Sequence, residues 1–96
     1  MNIKNIFIIV LFFTLFLKYQ TITGVVTVLG THNFPDIVIQ ANNTNYYLDN
    51  KLFNEYIKYH TQTITVRGKV KKEKLWLADR SESFYRYYLL DVKMQD

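Results

Sequence analysis

The side chains that could do chemistry are few, and their spacing argues against catalysis. The chain has no cysteine, and its two serines are Ser81 and Ser83. Neither serine sits in a strand-to-helix elbow, so nucleophilic catalysis has no carrier. His32 and His60 are 28 residues apart, and no H-x-x-x-H or H-E-x-x-H spacing fixes both on one metal. His60 reads more simply as the C-terminal member of a helix stripe, where it favours the macrodipole. His32 is loop-borne, beside Asn33 and Asp36. Asp79 and Glu82 are neighbouring carboxylates, but Arg80 and Ser81 between them are turn residues, and an acid–base pair needs a pocket this chain can hardly build. The three glycines, at 24, 30 and 68, form no phosphate-cradling loop. The expectation is a protein that is not an enzyme and needs neither metal nor cofactor.

Binding chemistry is better represented. Arg67, Lys69 and Lys71 form a basic row on one face of an alternating segment, Lys72 and Lys74 extend it, and Trp76, Tyr85 and Tyr87 follow. Cations that meet phosphates or carboxylates, interleaved with rings that stack, make a surface for an anionic polymer or for single-stranded nucleic acid. The competing reading is a solvated strand whose lysines discourage edge pairing. These six residues, Arg67, Lys69, Lys71, Trp76, Tyr85 and Tyr87, are the candidate ligand-binding set.

The elements that must position them begin after an N-terminal leader. Lys4 precedes a twelve-residue run, Ile6 to Leu17, in which Thr14 is the one polar member. That matches the charged and apolar regions of a secretory signal. The run is too short to span a bilayer, which takes about 20 apolar residues. Residues 1–20 are therefore expected to be a signal peptide or, uncleaved, a membrane anchor, and the protein to be exported to a periplasm or secreted. The net charge of +4 includes Lys4 and Lys18; without them it is +2, too small to argue for nucleic acid on its own. With no cysteine, a lipid-modified lipoprotein and a disulfide-stapled scaffold are both excluded.

Residues 21–96 are expected to form one small domain. Thr21 to Leu29 reads as a strand bent at Gly24, and Gly30 to Pro35 as a loop. Asp36 to Ala41 and Tyr46 to Asp49 flank an Asn42-Asn43-Thr44-Asn45 turn, which makes a hairpin. Asn42-Asn43-Thr44 also matches a glycosylation acceptor pattern. A short helix runs from an Asn50 cap to His60, with Leu52, Phe53, Tyr56, Ile57 and His60 on one stripe. Gln62 to Lys71 alternates cleanly, with Ile64, Val66, Gly68 and Val70 facing one way. Leu75 to Leu77 either lengthens the following hairpin or adds a strand. Phe84 to Met94 closes the chain, with Tyr88, Leu90, Val92 and Met94 expected on the inner face and Tyr85, Tyr87 and Leu89 outside.

Three strands, a helix and two strands is the order of a small OB-like antiparallel barrel of five strands, with one short helix between strands 3 and 4. Gly24-Val-Val-Thr-Val-Leu-Gly30, Val66-Arg-Gly-Lys-Val70 and Tyr87-Tyr-Leu-Leu-Asp-Val92 resemble the first, fourth and fifth strands of small exported OB-fold-like domains of bacteria. That resemblance covers residues 21–96. A small antiparallel sheet packed on one helix is the alternative architecture. Either way the expected function is an exported, non-enzymatic binding module for an envelope protein, a glycan or an anionic polymer. A sequence-tolerant binder of single-stranded nucleic acid and a domain tethered to the membrane through residues 1–20 are the alternatives.

Overall fold

The computed structural model describes residues 18–95, so the expected leader lies outside the described residues except for its last three positions. Among the described residues no helix is long and apolar enough to cross a membrane. The strands are β1 (Tyr19–Gly30), β2 (Pro35–Ala41), β3 (Thr44–Tyr47), β4 (Thr63–Trp76) and β5 (Ser83–Met94). Between β3 and β4 one α-helical turn, α1 (Phe53–Tyr56), is flanked by the 3-10 turns Asn50–Leu52 and Ile57–Tyr59.

The strands close into a barrel in the order β1-β2-β3-β5-β4. This is the five-stranded, OB-like barrel expected from element order, antiparallel except where β3 runs parallel to β5. Closure needs a strand that bends. β1 pairs with β4 through Tyr19–Val25 and with β2 through Val25–Gly30, so Val25 belongs to both ladders. Gly24 sits at that handover: a Cβ there would run into the Gln40 carbonyl and come 2.9 Å from Ile39 Cγ2. Only glycine lets the two backbones approach so closely.

Inside the barrel, period-2 patterns deliver the core. Ile22 and Val26 from β1, Ile37, Ile39 and Ala41 from β2, Ile64 and Val66 from β4 and Leu89 from β5 are buried together. The helical segment plugs one end with Tyr56, which is 1% exposed, and with the half-buried Leu52, Phe53, Ile57 and Tyr59. Asp49, rather than Asn50, caps this segment, its carboxylate accepting from the Lys51 N–H at 3.0 Å. His60 is not on the apolar stripe. It is exposed, has left the helix with ψ 131°, and forms a parallel bridge with Val26; Tyr59 takes its place against the core.

The Asn-rich turn is tighter than expected, because β3 already starts at Thr44. Asn42 (φ 51°) and Asn43 (φ 63°) form a two-residue connection between the paired Ala41 and Thr44. Positive φ at both central positions is the mirror-image turn whose twist matches the flanking strands.

β5 departs from simple alternation. Arg67 pairs with Lys93 and Lys69 with Leu90, so Gly68 alone faces Asp91 and Val92. Asp91 adopts φ 51° in this bulge. The extra residue reverses the parity of everything before it. Val92 and Met94 pack against the core as expected, but it is Leu89 that is buried (1% exposed), while Leu90 is outside at 39%. Tyr88 turns outward with Leu90, and Tyr85 and Tyr87 fall on the inner side with Leu89.

Beyond the barrel β4 and β5 run on together as a two-stranded arm, paired from Val70↔Leu89 to Trp76↔Ser83. The Leu75 to Leu77 segment therefore lengthens this hairpin and adds no strand. An Asx turn closes the tip, with Ser81 donating from its N–H (2.9 Å) and its hydroxyl (2.7 Å) to Asp79 Oδ1.

Candidate binding surface on the hairpin arm

The six candidate residues lie on both faces of the β4–β5 ribbon, and the register shows how they divide. Ile64, Val66, Gly68 and Val70 face the barrel interior, so Lys72, Lys74 and Trp76 continue that inner face along the arm. Their cross-strand partners are Tyr87, Tyr85 and Ser83. Arg67, Lys69 and Lys71 point the other way, together with Arg86 and Tyr88 of β5. The expected single face bearing Arg67, Lys69, Tyr85 and Tyr87 does not form, because the β5 bulge places the tyrosines opposite the basic row.

The outer row is largely spoken for. Lys69 lies 3.7 Å from Asp91 and Lys71 lies 3.8 Å from Glu73. Arg67 and Lys69 both sit over the ring of Tyr19, each 5.0 Å from its centroid. The Tyr19 hydroxyl in turn donates to Asp91 at 3.5 Å. Each of these exposed contacts is weak alone. Together they tie the start of β1 to β4 and β5. Tyr19 is a residue that sequence reasoning absorbed into the leader.

The inner face is free by comparison. The Lys72 ammonium is 4.1 Å from the Tyr85 centroid and 5.9 Å from that of Tyr87, and Lys74 is 4.9 Å from the Trp76 ring. Among the described residues neither lysine has a carboxylate within salt-bridge distance. Trp76 and Tyr85 are 56% and 54% exposed, so cations and rings alternate on an open surface. Such a surface attracts an extended anion and offers flat apolar platforms beside each charge.

A second cluster escaped the sequence reading. Arg86 stacks over Tyr47, 4.4 Å from its centroid, and Tyr47 meets Tyr88 with ring centroids 6.1 Å apart. Tyr46 and Tyr87 form the matching pair on the inner side, also at 6.1 Å. Both follow from the parallel register Tyr46↔Tyr87 and Tyr47↔Tyr88, a long-range pairing that no local pattern announces.

The remaining titratable candidates stand apart. His32 lies exposed in the loop between β1 and β2, and His60 lies exposed at the other end of the helical segment. At the arm tip the Ser81 N–H and then the Ser81 hydroxyl hold the Asp79 carboxyl below its ordinary value. Burial, followed by the charge of Glu55, pushes the Tyr56 phenol up.

Comparison with family models, with curated proteins and with solved structures finds no match to this chain.

Proposed function

We propose that this protein is an exported, non-enzymatic binding module, and that the inner face of its β4–β5 arm holds an extended anionic ligand of the cell envelope. The observation that carries the reading is the unpaired lysine pair on that face, with Lys72 over Tyr85 and Tyr87 and Lys74 over Trp76. Export is motivated by Lys4 and the apolar run that follows it. The intact mass of the native protein separates release from tethering, since a membrane-anchored domain retains residues 1–20.

The test uses the full chain in nonionic detergent and fluorescence anisotropy with three labelled anions: polyglutamate, a polyuronic oligosaccharide and a thymidine oligonucleotide. Binding of at least one should weaken with salt and fall further in Lys72→Ala/Lys74→Ala, while Arg67→Ala/Lys71→Ala keeps the wild-type affinity. Equal losses in both double variants would remove the inner face from the proposal. Turnover of a substrate in a hydrolase panel, lost on changing His32, Asp79 or Glu82, would remove the non-enzymatic reading.

The alternation of cation and ring also favours a second reading, a sequence-tolerant single-strand binder. Base stacking is worth about 1–3 kcal/mol per ring. That reading therefore requires Trp76→Ala to weaken the oligonucleotide and leave polyglutamate unaffected.

A further inference from the structure

We propose that the cleft between β3 and the β4–β5 arm takes an extended acidic peptide, which adds a strand to the free edge of β5 at Ser83–Arg86. This rests on the reading of the arm as the binding element and names the class of its ligand.

β3 and β5 pair at Tyr46↔Tyr87 and Tyr47↔Tyr88 and then part. The opening has Asn43–Asn45 and Tyr47 on one wall and Phe84–Tyr87 on the other. The ladder phase decides which backbone groups face it. The Leu77 N–H donates to the Glu82 carbonyl at 3.0 Å. Backbone groups alternate between the two sides of an antiparallel strand. Glu82, Phe84 and Arg86 therefore turn theirs to β4, and Ser83 and Tyr85 turn theirs to the free edge of β5, where no described strand meets them and where, at Tyr85, the cleft opens. Tyr87, next in the same phase, is where β3 does pair.

The two edges of the arm are treated differently by the sequence. β4 carries Lys71, Lys72 and Lys74 along its edge, the usual guard against strand addition. β5 offers Ser83, Phe84 and Tyr85, with neither lysine, proline nor bulge in that stretch. A two-stranded ribbon is marginal by itself in water, so a third strand would also stabilise the arm.

Charge selects the occupant. On the inner face Lys72 reaches across from β4 to lie over Tyr85 and Tyr87 of β5. On the outer face Arg86 reaches from β5 to Tyr47 of β3. Arg86 lines the cleft itself, Lys72 lies over two rings that line it, and among the described residues no carboxylate does. Successive residues of an inserted strand point to opposite faces, so adjacent Glu or Asp residues meet Lys72 and Arg86 in turn. A glycan or nucleic acid can use these cations but does not present its donors and acceptors at the repeat of a β-strand. A polypeptide backbone does.

The probe is a fluorescein-labelled peptide, Val-Glu-Glu-Val-Glu-Glu-Val, titrated into the full chain in nonionic detergent beside the same peptide N-methylated at alternate backbone positions. Losing the Tyr85 N–H should weaken binding by about tenfold, the effect of one good hydrogen bond. N-methylation should do so against the parent peptide, and Tyr85→Pro should do so against Tyr85→Ala, which removes the same ring but keeps the N–H. The proposal is overturned if the N-methylated peptide binds as well as its parent, if Tyr85→Pro binds as well as Tyr85→Ala, or if the edge is taken by a second copy that the peptide cannot displace. If the oligonucleotide or oligosaccharide binds through Lys72 and Lys74 while the peptide does not, this proposal falls and the inner-face function stands. If no anionic probe binds, both fall.

Discussion

Gly68 of β4 lies directly beneath Leu89 of β5: a Cβ on Gly68 would come 2.9 Å from Leu89 Cγ and 2.9 Å from the Leu90 carbonyl oxygen. The leucine side chain can turn away from such a methyl, but the carbonyl belongs to the bulged ladder and cannot. Gly68→Ala is therefore an overpacking change at the point where the bulge is seated, and should cost about 1–3 kcal/mol. Urea unfolding followed by tryptophan fluorescence reads it directly. Wild-type stability in Gly68→Ala would mean that β5 lies further from β4 here.

The parity reversal caused by the same bulge separates two adjacent leucines. Leu89 is 1% exposed in the core and Leu90 is 39% exposed outside it. Truncating a core leucine leaves a cavity and costs about 2–5 kcal/mol, whereas truncation of a surface leucine usually changes stability by about 0.5 kcal/mol or less. Leu89→Ala should lower the thermal midpoint sharply and Leu90→Ala should barely move it. The opposite order would restore the simple alternation of Tyr88, Leu90, Val92 and Met94.

That alternation shows where sequence stops determining structure. The β2–β3 hairpin, the inward set Ile64, Val66 and Gly68, and the strand–helix order were legible because each is a local periodicity with its own turn chemistry. The bulge was not, since an aspartate at φ 51° leaves no mark in a run of otherwise alternating residues. With the parity of β5 went the site: Arg67 and Tyr85 look like one face until Asp91 is given its extra half-step. The helix was overextended for a related reason, because His60 sits at stripe spacing but is drawn into a bridge with Val26. The Arg86–Tyr47 stack depends on a parallel pairing, Tyr47↔Tyr88, between residues 41 positions apart in sequence. Tyr19 stayed hidden because an apolar leader runs straight into it.

The mirror-image turn at Asn42 and Asn43 gives a cleaner local test. Asparagine tolerates a positive φ because its short side chain can hydrogen-bond locally, whereas a β-branched residue clashes with its own carbonyl. At Asn43 (φ 63°), valine should cost about 1–2 kcal/mol. Glycine, which suits this turn position, should leave stability near wild type. A protein that accepted valine as readily as glycine would not contain this turn.

Tyr56 links the core to pH. Its phenol is raised above the ordinary value of 10.0, first by burial and then by Glu55 and Tyr59. The folded state thus holds the phenolic proton more tightly than the unfolded chain. Below the unfolded value both states are protonated, and the stabilising contribution is fully present. As pH rises above 10.0 the unfolded chain ionises first and stability falls, until the folded phenol ionises as well. Tyr56→Phe removes the titrating group while filling nearly the same volume. In urea midpoints measured from pH 8 to about 11.5, a range set to cross the tyrosine titration, the wild-type chain should lose stability at the alkaline end and the variant should lose less. Parallel curves would assign the alkaline loss to the exposed tyrosines and lysines and leave Tyr56 no part in it.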